Sequence, residues 1–240
     1  FRSDGVAALH RFRQDHFSAA FIKYPMETNL STRFSVYYKS AFTSPAEVFS
    51  RLLQDERKLT LAFMFMLVPI FLYTLMYVFL NIANGAPSTF TPWLNIPKDS
   101  YYFYNQFLLA PSMIFSWFTA ASVVQLLSRA FGGQGSFEET LAMLGLSISV
   151  ALWSTLVHDL TMSFLSAIHV IDARAHEIAM NTPTIWRSIL WICFLVYFIW
   201  FPALFSKSVQ SVHKLKKGPA LAIGYTGFVV FQLITAIFNL

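Results

Sequence analysis

Five apolar runs, each about as long as a bilayer core is thick, leave this chain few ways to fold. The first, residues 59–80, reads LTLAFMFMLVPIFLYTLMYVFL and carries no ionisable side chain. As a helix its 22 residues rise about 33 Å, enough to cross the hydrocarbon of a membrane. Runs 105–127, 139–157, 186–206 and 219–240 repeat the pattern, with Glu139 and Arg187 as their only charges, both at ends. Of the 240 residues 12% are charged and 56% apolar, too little polar surface for a water-soluble domain of this length. The expected fold class is all-α, a polytopic membrane helix bundle with five transmembrane helices.

The basic residues orient it. Five spans put the N-terminal segment, the 128–138 loop and the 207–218 loop on one side, with 14 of the 17 lysines and arginines. Lys98, Arg174 and Arg187 remain for the other. Positive residues stay on the side from which a chain inserts, so the N-terminus is expected inside and the C-terminus outside. Residues 1–58 hold no apolar core of the signal-peptide kind, and the first span is expected to serve as its own insertion signal. The basic start (Arg2, Arg11, Arg13, Lys23) suits an arm lying on anionic lipid. The single cysteine, Cys193, falls within an apolar run and is expected simply to pack.

Two stretches carry helix-start signals. In TSPAEVFSRLLQDERK, Ser44 stands as an N-cap, Pro45 at the first helical position and Glu47 three residues after the cap. Val48, Phe49, Leu52 and Leu53 then recur at helical spacing. This predicts an amphipathic helix ahead of the first span, lying on the membrane surface or docking a partner's helix, two settings that the spacing does not separate. The second stretch, LSRAFGGQGSFEETLAMLG, invites a nucleotide-binding reading. A phosphate-binding loop, however, needs a strand before its glycines and a lysine after them; here an apolar run precedes them and Ser136 is followed by Phe137. Ser136 and Glu139 form a second Ser-x-x-Glu box, and Gly132, Gly133 and Gly135 supply a backbone free to turn between two helices. A helical hairpin is the reading that fits.

The turn FGGQGSFEETLAMLGLS resembles the central hairpin of prokaryotic-type members of the YIP family (Ypt/Rab-interacting-protein membrane domain). There a Gly-Gly-x-Gly-Ser-Phe turn leads into a Thr-Leu-x-x-Leu-Gly helix. FTSPAEVFSRLLQDERKLTLAFMFMLVPI is similar to that family's Ser-Pro-capped surface helix running into the first span. The resemblance covers roughly residues 42–240 and implies a YIP-like membrane domain there, behind a basic arm at 1–41. The Asp-Leu-Tyr-Gly-Pro motif of the eukaryotic trafficking branch does not occur in this sequence.

Chemistry has few footholds. Ionisable groups within spans mark proton and ion paths, and the five runs hold none in their cores. The segment HDLTMSFLSAIHVIDARAHE, with His158 and Asp159 at its start, offers one metal hypothesis. A helix over 160–178 would align His169, Asp172 and His176 on one face as a zinc site; otherwise that helix lies at the interface with its apolar side in lipid. The aromatic-rich 81–104 segment, with Trp93, Tyr101, Tyr102 and Tyr104, is expected to form an interfacial belt. No catalytic residue and no cofactor are expected. The function expected is non-enzymatic: a structural or organising component that binds other integral membrane proteins within a larger complex. Its other expected partners are membrane lipids, and none is nucleic acid. The alternative is a lipid-handling or small-molecule carrier with a cavity between spans kinked at Pro69, Pro111 and Pro202. A bacterial plasma membrane or an organelle's inner membrane, such as the mitochondrial one, would suit either.

Overall fold

The computed structural model describes residues 29–87, 94 and 96–239. The chain divides into two units, residues 1–36 and 37–240. Of the first, the described part is the start of helix α1 (Leu30–Ala41). The basic arm's Arg2, Arg11, Arg13 and Lys23, and Trp93 of the aromatic segment, lie outside the described residues.

The second unit is all helix among its described residues. It comprises α2 (Pro45–Gln54), α3 (Lys58–Ile82), a single 3-10 turn (Lys98–Ser100) and α4 (Tyr101–Ala130). These are followed by α5 (Phe137–Ala151), α6 (Trp153–Ala167), α7 (Ala173–Ala179), α8 (Ile185–His213) and α9 (Lys217–Asn239). Helices α3, α4, α8 and α9 are each long and apolar enough to cross a membrane. Helices α5 and α6 pass that test together, bent by 47° at Leu152, which makes five crossings if the pair is one span. The chain is an integral membrane protein built as an all-α bundle.

Two expectations need correcting. The third apolar run does not end at 157: the helical pair reaches Ala167, because no glycine or proline interrupts residues 153–167. No helix spans 160–178, since the chain turns after Ala167 with His169 at φ +59° and restarts as the short α7. Pro69, Pro111 and Pro202 each lie inside a helix that continues past them, and the α5–α6 pair bends at Leu152.

The bend and the proline in α3 share one hydrogen-bonded chain. Pro69 has no N–H, so the Phe65 carbonyl one turn earlier lacks its helical donor. Ser149 of α5 supplies it, Oγ to Phe65 O at 2.6 Å. The Tyr38 hydroxyl lies 3.1 Å from Ser149 Oγ and 3.4 Å from the Ser149 carbonyl, and accepts from Trp153 Nε1 at 2.7 Å. An uninterrupted helix would give the Ser149 carbonyl to the amide of Trp153. A side chain inserted at that point is a recognised cause of helix bends.

Removing this donor should be costly and rescuable. Ser149→Ala leaves a buried carbonyl unsatisfied and should destabilise the protein by about 1–3 kcal/mol. In a Pro69→Ala background, where residue 69 regains its N–H, the same change should cost much less. A double-mutant cycle of denaturant unfolding in detergent micelles measures the coupling; equal costs in both backgrounds would refute the account.

Candidate functional site: two unlike ends of the bundle

The glycine turn closes one end. Ser136 caps α5 by accepting from the Glu139 amide (3.2 Å), and Glu139 Oε2 accepts from the Ser136 amide (2.9 Å). The three glycines play different parts. Gly132 has φ +81°, where side chains are strained. Gly133 and Gly135 instead permit close approach: a Cβ on Gly135 would stand 2.2 Å from Val212 Cγ1, and one on Gly133 2.9 Å from His213 Cβ. The turn therefore lies directly on the end of α8. Behind it, His213 Nε2 is 3.0 Å from Thr140 Oγ1, Thr140 donates to Gln125 Oε1 (2.7 Å), and Gln125 donates to the Gly135 carbonyl (2.9 Å). These bonds tie α4, α5 and the end of α8 together beneath the turn.

On the same side, α2 departs from its expected setting. Ser44 makes no side-chain cap, having φ −137° and ψ 57°, although Pro45 does open the helix. Glu47 instead pairs with Arg51 at 2.7 Å. Val48, Phe49 and Leu52 are almost wholly buried, and α2 packs on α8 and α5. Its apolar side is thus covered by the bundle and not by lipid, leaving Ser50, Gln54, Glu56 and Arg57 exposed.

The opposite end is open. A cavity of about 550 Å³ lies between α3, α4, α6, α7 and α8, within the size range of small-ligand sites. The bend at Leu152 positions it, because α5 packs on α3, α4 and α8 whereas α6 packs chiefly on α3 and α8. His158, Asp159, His176, Glu177 and Arg187 line it with the rings of Tyr77, Tyr101 and Tyr102. His158 is buried; its Nδ1 lies 2.9 Å from Asp159 Oδ1 while its Nε2 has no hydrogen-bond partner. Tyr102 donates to Glu177 at 3.0 Å, and Arg187 donates through Nη1 to the Asn181 carbonyl at 3.0 Å. The serines on this wall, Ser163 and Ser166, donate to carbonyls of their own helix, at Leu160 and Met162, and not to His158.

A second cavity of about 280 Å³ adjoins the first, with Tyr77, Asp159 and Phe194 lining both. It lies deeper along the helices and is walled by α3, α4, α6, α8 and α9. Its polar side chains largely satisfy one another, Tyr73 with Thr155 (2.8 Å) and Tyr197 with Gln232 (2.7 Å). Apart from Asp159, what remains facing the space is largely apolar, from Leu109, Met113, Phe198, Phe231 and Ala236.

The zinc hypothesis loses its geometry here. Asp172 is the N-cap of α7, accepting from the Ala175 amide at 2.7 Å, and His169 belongs to the preceding turn. Only His176 of the three lines the cavity, with its ring centroid 6.1 Å from that of His158. Among the described residues no group of three or more His, Cys, Asp or Glu is placed to hold a metal ion. Tyr101 and Tyr102 belong to α4 and are buried, so they do not form an interfacial belt; Tyr104 is exposed. Asp159 emerges as a cavity residue because α6 continues past the expected span end at 157 to Ala167, and Glu177 joins it from α7.

Burial lowers the pKa of His176 below 6.5, followed by the neighbouring His158, with Asp159 opposing. A base whose folded pKa is depressed leaves stability unaffected well above pH 6.5. Stability falls as pH drops through that value, because the unfolded chain takes up the proton first. The unfolding temperature in detergent should therefore decline between about pH 7 and pH 5.5, and His176→Gln should flatten part of that decline. An identical slope in the variant would assign the effect to other groups.

Residues 39–238 match the Yip1 domain. No curated protein and no solved structure matches the chain.

Proposed function

From the premise that the chain belongs to the Yip1 domain family, we propose a non-enzymatic membrane-organising protein, inserted with its N-terminus inside, that binds other membrane proteins. The observation that carries this reading is the setting of α2. Val48, Phe49 and Leu52 fix the helix to the bundle. Ala46, Ser50 and Gln54 are then presented at helical spacing on a rigid support, with Arg57 exposed just beyond the end of the helix. A surface helix meant for lipid would show the reverse, its apolar side outward. A preorganised polar face suits a protein partner, since little side-chain and backbone freedom remains to be lost on docking.

A photo-crosslinking residue at Ser50 or Gln54 tests this in the native membrane. Discrete protein adducts, weakened by Arg57→Glu, are the expected result. Adducts to lipid alone at both positions would count against α2 as a docking face.

The cavities favour a second reading, in which the bundle holds an amphiphile between its spans. The observation behind it is the junction of a polar, titratable chamber with an apolar one at Tyr77, Asp159 and Phe194.

A further inference from the structure

One buried nitrogen narrows the ligand class of the paired cavities, an inference that rests on the second reading above. His158 lines the larger cavity, its side chain 6% exposed. Its Nδ1 lies 2.9 Å from Asp159 Oδ1. An ionised carboxylate only accepts, so in the neutral ring the proton sits on Nδ1 and Nε2 keeps a lone pair. That Nε2 is buried and has no hydrogen-bond partner among the described residues. Its desolvation is offset only by a donor brought into the cavity. Asp159 lines the same wall and keeps acceptor capacity beyond the oxygen that holds the imidazole. Arg187 has the opposite character: Nη1 donates to the Asn181 carbonyl, and the rest of its planar fork can only donate. Glu177 is already engaged within the protein, by the Tyr102 hydroxyl and by further contacts, so it is not a free carboxylate. The adjoining chamber is largely apolar, with most of its polar groups bonded to one another.

We infer that the two cavities receive a single-chain amphiphile with an uncharged, hydroxyl-bearing headgroup, of the monoacylglycerol kind. A hydroxyl donates to His158 Nε2, a neighbouring oxygen accepts from Arg187, and the chain enters the smaller chamber past Asp159. An ammonium headgroup donates but offers Arg187 no acceptor. A carboxylate accepts but offers Nε2 no proton, and it brings a second negative charge towards Asp159. A zwitterion meets both needs only by burying two charges, each costly to take out of water. A hydroxyl donates and accepts without adding charge. With about 280 Å³, the apolar chamber suits one chain better than two.

The full chain in detergent micelles at about pH 8, where an imidazole is neutral, can be offered matched single-chain lipids and weighed with what it binds by native mass spectrometry. The probes, in equal amounts, are mono-oleoylglycerol, the same lipid with both hydroxyls methylated, oleic acid, oleylamine and oleoyl lysophosphatidylethanolamine. The expected result is retention of mono-oleoylglycerol over its methylated form, and over each charged lipid, by roughly fivefold, the size of one net hydrogen bond. His158→Phe keeps a ring but removes the acceptor, and should erase the preference over the methylated lipid while both are still held. His158→Gln returns an acceptor near the Nε2 position and should restore part of it. The preference is a ratio within one sample, so a less stable variant still reports it, and the parent comparison stands without any variant. Equal retention of the methylated lipid by the parent would mean that water satisfies Nε2; it would overturn the hydroxyl assignment and leave the amphiphile reading standing. Tighter retention of a charged lipid would do the same. No retained lipid of any kind would overturn both. An unchanged preference in His158→Phe would overturn the assignment of His158 to the headgroup.

Discussion

The carbonyl of Phe65 is the group on which the arrangement of this bundle turns. In hydrocarbon no water is present to take up a backbone acceptor that proline has orphaned. A lone buried carbonyl is expensive, so a neighbouring helix must bring a donor to it. Ser149 does so, and its hydroxyl fixes α5 against α3 at that depth. Tyr38 and Trp153 complete the chain of bonds at the point where α5 gives way to α6. One missing N–H is thus answered across α3 and α5, close to the bend between α5 and α6.

The bend then makes the ends of the bundle unlike. At the glycine turn, backbone lies on backbone: Gly135 against Val212 and, further into the bundle, Gly224 against Ser206, each with no room for a Cβ. Interfaces of this closeness are how membrane helices gain packing energy where no hydrophobic drive exists between them. At the other end α6 diverges from the packing that α5 enjoys, and the space is lined by groups that contact water or ligand more readily than lipid. A rigid closed end and a hollow open end come from the same sequence of five crossings, through one bent element.

The apolar runs disclosed the crossings because length and lack of charge are sufficient evidence for a span. The Ser136–Glu139 box was equally legible, since both of its bonds are local and depend on spacing alone. Ser44 shows the limit of that logic. The same spacing is present, yet the chain leaves α1 at an angle that turns the hydroxyl away, and Glu47 finds Arg51 instead. The glycines were legible as a turn but not as a contact with α8, because Val212 and His213 lie some 80 residues away in sequence. The cavity escaped notice for a related reason. Asp159 falls just outside the span when the third run is ended at 157, and Glu177 then falls in a separate helix over 160–178. A few polar residues on a helix lower mean hydropathy without ending the helix, so absence of a breaker was the better guide.

The separation of the two ends gives the molecule a division of labour that neither end requires alone. Helix α2 rests on α8 at the closed end, and α8 runs unbroken from there to Arg187 and Trp191 at the cavity. A rigid helix does not by itself transmit a signal, since coupling needs an element with two discrete arrangements whose balance both sites shift. The element that suits this requirement is the α5–α6 joint, where the helix bends at Leu152 and the Tyr38, Ser149 and Trp153 side chains bond beside the backbone ladder. Its geometry is held by Tyr38, which belongs to the helix immediately before α2. Helix α6 lines the cavity, and α2 follows directly on the helix that carries Tyr38. The physical route between ligand and partner would therefore run through the Tyr38–Ser149–Trp153 junction, and not along the straight helices that connect the two ends most directly.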